Sequence, residues 1–378
     1  MESSPLQALS ALGQSVWIDF LSREAIRGGH LQKLIDEDSV VGATSNPTIF
    51  EKAMAAGDAY DAQLRELDTP HGGEHPEGHE QARDVEKAFW ALAEQDIREA
   101  CDLFRPRWDG GYGRDGYVSL EVDPRLAYDA LATFREAIRL HEAVDRPNLL
   151  VKIPATKQGL AAIEDVIAKG RSINVTLIFS LRRYAEVVES YIRGLERLVA
   201  EGGDPSKVAS VASFFISRID TEADRRLDEV DHGELKGRLA VANAKLAYRH
   251  YQRTFAGARW EYLAGKGATP QRVLWASTST KNPAYKDTLY VDELIGPDTV
   301  NTMPEETVEA FQAHGSPRPT LIEGMAEAEA FLGELAEAGV DYDDVTETLE
   351  REGVEKFEAS FRELLDSLGA KLGSLTLA

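Results

Sequence analysis

The sequence predicts a (β/α)8 TIM barrel, an α/β fold, with additional helices at the C-terminus. Short β-branched or apolar runs alternate with longer amphipathic stretches, which is the pattern of βα units around a parallel sheet. There are eight such runs, the number that closes a barrel, and no G-x-G-x-x-G or Walker sequence follows the first, as an open doubly wound sheet would usually show. A chain of 378 residues, 43% hydrophobic, can bury a full-sized core. Such barrels typically take about 250 residues and tolerate insertions, so length does not force a second core. A single domain over residues 1–378 is expected, with a helical C-terminal extension at about 320–378.

In such a barrel the C-terminal ends of the strands converge on one face, so their polar residues are candidates for chemistry. The first run, Ser15 to Asp19, closes on Asp19, and the second, Val41 to Ser45, delivers Thr44, Ser45 and Asn46. Tyr117 to Val122 carries Glu121, and Asn148 to Ile153 carries Lys152. Ser172 to Ile178 brings Asn174 and Thr176, and Val208 to Phe214 brings Ser213. Arg272 to Ser277 is followed by Ser279 and Lys281, and Thr299 to Thr302 completes the set.

Two segments stand outside this repeat. His71-Gly-Gly-Glu-His-Pro-Glu-Gly-His79 offers three histidines and two glutamates, but its Gly and Pro forbid the helix that would aim them, so a solvated loop is expected and no metal site. Beyond Thr320 an acidic helix is expected over Val345 to Leu368, where Phe357, Phe361, Leu364, Leu365 and Leu368 recur at helical spacing. That stripe reads as core packed on the barrel, a lid or flank, rather than as a ligand site; a dimer contact through the helix stays open.

With 42 basic against 65 acidic residues the net charge is −23, which argues against nucleic acid and anionic membrane as partners. Any anionic substrate needs local positive charge. The single cysteine, Cys101, cannot form an intramolecular disulfide and is expected to be buried and unreactive. No basic segment followed by an apolar one opens the sequence, and no apolar run is long enough to span a bilayer, so a cytoplasmic protein is expected.

Lys152 is a lysine inside a run that otherwise reads as a buried strand. It is either a strand-end lysine reaching solvent or an amine whose desolvation lowers its pKa and frees it to attack a carbonyl as a Schiff-base nucleophile. Imine formation needs a group that moves protons, and Glu121 is one strand away. Cleavage of a ketose needs a second base at the hydroxyl one carbon beyond the breaking bond, for which Asp19 is available. The protonated imine is then the electron sink, so neither metal nor other cofactor is expected. Asn46, Asn174, Thr176 and Ser213 suit a polyol, whose hydroxyls each need a donor or acceptor. Arg218 and Lys281 suit a terminal phosphate, unless Arg218 is spent on an ion pair with Asp220 or Asp224.

The stretches Ser15-Val-Trp-Ile-Asp-Phe20, Gly42-Ala-Thr-Ser-Asn-Pro-Thr-Ile-Phe50, Leu150-Val-Lys-Ile-Pro-Ala-Thr156, Ile173-Asn-Val-Thr-Leu-Ile-Phe-Ser180 and Val211-Ala-Ser-Phe-Phe-Ile-Ser-Arg-Ile-Asp220 resemble the transaldolases in order and spacing, over roughly residues 10 to 315. Trp275-Ala-Ser-Thr-Ser-Thr-Lys-Asn-Pro-Ala-Tyr285 resembles the longer bacterial subgroup. The resemblance implies transfer of a dihydroxyacetone unit from sedoheptulose 7-phosphate to glyceraldehyde 3-phosphate, giving erythrose 4-phosphate and fructose 6-phosphate, in the non-oxidative pentose phosphate pathway. It implies Lys152 as the imine-forming lysine, Glu121 as the acid/base acting through a water held by Thr176, and Asp19 as the base at the C4 hydroxyl. Asn46, Asn174 and Ser213 match positions that hold the dihydroxyacetone moiety, with Ser45 and Ser277 counted among the substrate-binding residues. Arg218 falls on one phosphate arginine; a second is not matched, and Lys281 stands there instead, after a lengthened Ser277-Thr-Ser-Thr280 turn. Sugar phosphates are the expected partners, and homodimer or monomer remains open.

Two other readings share the barrel. A fructose 6-phosphate aldolase would release dihydroxyacetone, but such relatives are much shorter, so residues 320–378 and a long loop at 51–115 favour the transferase. A catalytically idle binding module would be expected to lack the lysine or a carboxylate, and none is missing.

Overall fold

The computed structural model describes residues 4–55, 57–67 and 79–376. Eight parallel strands form one closed barrel in sequence order: β1 Gln14–Ile18, β2 Val40–Thr44, β3 Tyr117–Glu121, β4 Leu149–Pro154, β5 Ile173–Ile178, β6 Ser210–Phe215, β7 Arg272–Ala276 and β8 Thr299–Met303. Closure runs from Gln14 opposite Thr299 to Ile18 opposite Met303. All eight expected strands are present, with ends displaced by one or two residues. Nearly every strand residue is buried, because the helical ring covers the outside while side chains fill the inside. That double burial is why the runs read as continuous apolar stretches rather than alternating ones.

Gly42 shows how tightly the wall is packed: a Cβ there would lie 2.5 Å from Cε2 of Trp17, so the residue leaves space for an indole. At the amino-terminal end Arg272 donates to Asp115 at 2.9 Å and to the Ser15 hydroxyl at 2.8 Å. Ser15 in turn donates to the second Asp115 oxygen at 2.8 Å, closing the floor with a largely buried ion pair whose two carboxylate oxygens are both engaged.

The stretch expected to be a long loop between β2 and β3 is largely helical, with helices at Pro47–Ala55, Asp61–Leu67 and His79–Gly110. Ala, Glu and Arg, all good helix formers, recur along the last of these, and straight-chain residues lose little freedom in a helix. The expectation erred because this segment stands outside the βα repeat. Most of the His-rich stretch at 71–79 lies outside the described residues.

The C-terminal portion forms helices Met325–Glu337 and Tyr342–Thr376, the second longer than its apolar stripe predicts. The Tyr342 hydroxyl anchors its start, donating to Asn243 at 2.7 Å and accepting from the Leu181 N–H at 2.9 Å. Phe361, Leu364 and Leu368 are buried against the barrel's outer helices and Leu365 is partly so, as the spacing predicts. Cys101 is a buried free cysteine whose thiol is pushed up by burial. Among the described residues no helix is long and apolar enough to cross a membrane.

Candidate active site

The register of β3, β4 and β5 sets Glu121 opposite Lys152 and Lys152 opposite Asn174, so three polar side chains from adjacent strands share one level of the barrel. Lys152 is 5% exposed and its Nζ donates to the Ser45 carbonyl at 3.0 Å. It therefore does not reach solvent. The same Nζ stands 3.4 Å from Oε2 of Glu121, also 5% exposed. Both Glu121 oxygens are buried without a hydrogen-bond partner among the described residues, and burial raises its carboxyl above the usual glutamate range against the opposing pull of Lys152. The Thr176 hydroxyl is likewise buried and unpartnered.

Asp19 follows β1 and is partly open to the mouth. Loss of surrounding water raises its carboxyl too, while a hydrogen bond from the Thr44 hydroxyl at 2.6 Å and the charges of Lys152 and Arg218 pull it down. Thr44 also shares a 2.8 Å hydrogen bond with Thr302 of β8, which fixes the rotamer presented to Asp19.

Asn174 and Ser213 are brought together. The Ser213 hydroxyl donates to Oδ1 of Asn174 at 2.6 Å, and the amide donates to Ser119 at 3.0 Å, leaving Asn174 a second amide N–H to donate and the Ser213 oxygen free to accept. The Ser45 hydroxyl donates to the Ser119 carbonyl at 2.7 Å, and its own carbonyl faces the lysine. Oδ1 of Asn46 accepts the Ile49 N–H at 3.0 Å, opening the helix Pro47–Ala55 and leaving the amide nitrogen for the mouth.

Above this level opens a cavity of about 640 Å³ lined by Asp19, Asn46, Arg218, Ser277, Lys281 and Phe357, among others. Arg218 begins the helix Ser217–Glu229. It does not pair with Asp220 or Asp224, whose carboxylates accept from the Ala240 and Gly237 N–H groups respectively. Its guanidinium carbon instead lies 5.2 Å from the Phe215 ring centre and 6.0 Å from that of Phe357, and burial lowers its pKa. Ser277 adopts a left-handed φ of 60°, rare for serine, and its carbonyl accepts the Ser217 N–H at 3.0 Å, holding the turn that aims Arg218. Lys281 is exposed at the rim and donates to Ser279 at 2.7 Å.

Ser119, Thr302 and Phe357 escaped the sequence reading. Ser119 stands two residues before Glu121 and so shares its face, a usable signal. Thr302 ends its strand as the other candidates do. Phe357 was assigned wholly to the core stripe, yet its ring centre is 5.9 Å from Nζ of Lys152, so the helix Tyr342–Thr376 contributes to the site itself. Its spacing is the same as that of its core neighbours and gave no warning. Among the described residues no group of three or more His, Cys, Asp or Glu side chains is placed to hold a metal ion.

A closed barrel with a buried lysine between two carboxylates at the carboxyl ends of its strands defines a barrel enzyme of the lysine-and-carboxylate type. The profile of the Transaldolase/Fructose-6-phosphate aldolase family matches residues 16–368, and the chain belongs to that family, an enzyme family of transferases and aldolases. It is 53% identical to a transaldolase of Parafrankia sp. (strain EAN1pec) over 98% of this chain and 99% of the relative. It is also 53% identical to one of Acidothermus cellulolyticus, over 96% and 95%, and 51% identical to one of Mycobacterium ulcerans, over 98% of each.

Proposed function

We propose that the protein transfers a dihydroxyacetone unit from sedoheptulose 7-phosphate to glyceraldehyde 3-phosphate through an imine on Lys152, as a step of the non-oxidative pentose phosphate pathway. The observation that carries this is the buried Nζ of Lys152, 3.4 Å from Glu121, beneath a mouth where Asp19 stands on the opposite wall.

The Lys152 amine adds to the C2 carbonyl of the ketose, and the carbinolamine loses water. Glu121, held above its ordinary pKa by burial, is suited to pass protons in that step, with a water between it and the Thr176 hydroxyl satisfying three otherwise unpartnered oxygens. Asp19 takes the proton from the C4 hydroxyl. The C3–C4 bond breaks, its electron pair moves into the iminium to give an enamine, and the aldehyde leaves. The acceptor aldehyde then forms a bond to C3, Asp19 returns the proton to the new hydroxyl, and hydrolysis frees Lys152. Asn46, Asn174 and Ser213 would bond the hydroxyls of the three-carbon unit. Arg218, without a carboxylate partner among the described residues, would take the phosphate bidentately, with Lys281 adding a point charge at the rim.

The partners are accordingly sugar phosphates. The net charge of −23 speaks against nucleic acid, and the lone buried cysteine is in keeping with a reducing, cytoplasmic setting, as monomer or homodimer. The test is borohydride reduction of the enzyme incubated with fructose 6-phosphate, followed by peptide mass spectrometry. A three-carbon adduct on Lys152 is expected; a folded enzyme that traps none on any lysine would remove the imine and the reading with it.

A further inference from the structure

We infer that Phe357 sets the partition of the three-carbon intermediate between transfer to an aldehyde and loss to water. The inference rests on the imine reading of Lys152 and deepens it.

The enamine has two fates. C3 can form a bond to the carbon of an acceptor aldehyde, whose oxygen takes a proton from Asp19. Alternatively C3 is protonated through water, one water adds to the imine carbon, and dihydroxyacetone leaves as the amine is restored. Transfer therefore requires that water be kept from C3 until an aldehyde arrives.

Around Lys152 the barrel supplies polar groups: the Ser45 carbonyl, Glu121, Asn174 with Ser213, and the unpartnered Thr176 hydroxyl. Each binds water as readily as substrate. Phe357 is the apolar group that the helix Tyr342–Thr376 adds from outside the barrel, 6% exposed, with its ring 5.9 Å from Nζ and 6.0 Å from the Arg218 guanidinium. One ring thus reaches the reacting nitrogen and the cation assigned to the phosphate. Its π face also favours the cationic iminium that binding and release pass through.

The ring is held there by the same helix face. Gly353, one turn before, approaches the end of β5 so closely that a Cβ would lie 3.1 Å from Leu177, itself left-handed at φ 59°. Ser360, three residues after, accepts from the Thr48 hydroxyl at 2.9 Å. Positions 353, 357 and 360 are neighbours on one helix face, so the helix is pinned before and after the phenylalanine. Phe357 is in this sense a positioning residue: it shapes what reaches the intermediate.

The experiment measures, with fructose 6-phosphate and erythrose 4-phosphate, dihydroxyacetone released per glyceraldehyde 3-phosphate formed. Phe357→Ala should raise that fraction by about tenfold, since it removes the apolar ring that stands closest over Nζ on this helix, while Phe357→Leu, which keeps an apolar cover, should stay near wild type. Phe357→Gln, polar but larger than alanine, guards against loss of the fold in the alanine variant and should behave like it. A folded Ala or Gln variant that still forms the Lys152 adduct and shows an unchanged fraction overturns the inference. If wild type itself forms no adduct, it is the imine reading that has failed.

Discussion

At the floor of the barrel the Arg272 guanidinium is met by Asp115 at 2.9 Å and by the Ser15 hydroxyl at 2.8 Å, and Asp115 also accepts from Ser15 and from the Trp17 indole. At the mouth Lys152 stands 3.4 Å from a carboxylate with neither oxygen hydrogen-bonded. Each pair has its cation on a barrel strand, Arg272 on β7 and Lys152 on β4, yet only the first is saturated. Among the described residues the neutral amide oxygens of Gln14 and Gln271 go unpartnered in the floor region, whereas at the mouth the unpartnered set includes both oxygens of a carboxyl group. A buried charge without hydrogen bonds is costly unless something else is meant to approach it. The floor therefore serves stability, and the mouth holds its bonding capacity in reserve for a ligand.

That contrast is open to attack from four sides. Lys152→Ala should abolish turnover, read as loss of fructose 6-phosphate-dependent transfer to background, with circular dichroism and unfolding midpoint little changed because Glu121 can meet the lost charge by staying protonated. Substantial residual turnover would end the contrast at once. Arg272→Met should do the opposite, lowering unfolding free energy by about 3–5 kcal/mol by stranding Asp115, while the borohydride-trapping rate per folded molecule stays at the wild-type value. Glu121→Gln should slow imine formation by about two to four orders of magnitude, the usual weight of a positioned acid–base group. Single-turnover trapping at wild-type speed would take Glu121 out of the chemistry.

The smallest effect concerns Asp220, buried behind Arg218, whose carboxyl burial pushes from 3.8 up to about 7 despite hydrogen bonds from the Ala240 N–H and the Tyr290 hydroxyl. A raised carboxyl binds its proton more tightly in the folded state, so the stability it lends is present below the unfolded value and lost as pH climbs through that window. Asp220→Asn should therefore gain on wild type in unfolding midpoint between pH 4 and about 7, by roughly one to a few kcal/mol in all, and no further above that. A gap that narrows with rising pH would show that Asp220 is ionised, a bonded anion like Asp115 of the floor.

Much of this was legible in the sequence because barrel strands are covered on both faces, so a charge within such a run announces itself; Lys152 and Glu121 stand out for that reason. Asp19, Asn46 and Arg218 were reachable because strand ends converge on one face. Phe357 was not. A phenylalanine at helical spacing looks the same whether it packs on leucines or beside the buried Lys152 amine, and only the path of a helix beginning at Tyr342 decides which. The helices between β2 and β3 were missed since they answer to no repeat, and the carbonyl role of Ser45 because the side chain draws attention from the backbone.

The seam between β1 and β8 carries a consequence for how the molecule is made. Gln14 and Thr299, side by side in the finished sheet, are 285 residues apart in the chain. Contacts so distant form late, because the intervening chain must first give up its freedom. Until then β8 and β1 present unpaired edges able to recruit strands from other chains. Folding yield should accordingly fall with protein concentration well before the finished enzyme loses stability, and a chain cut short before Thr299 should accumulate as aggregate rather than as a smaller barrel.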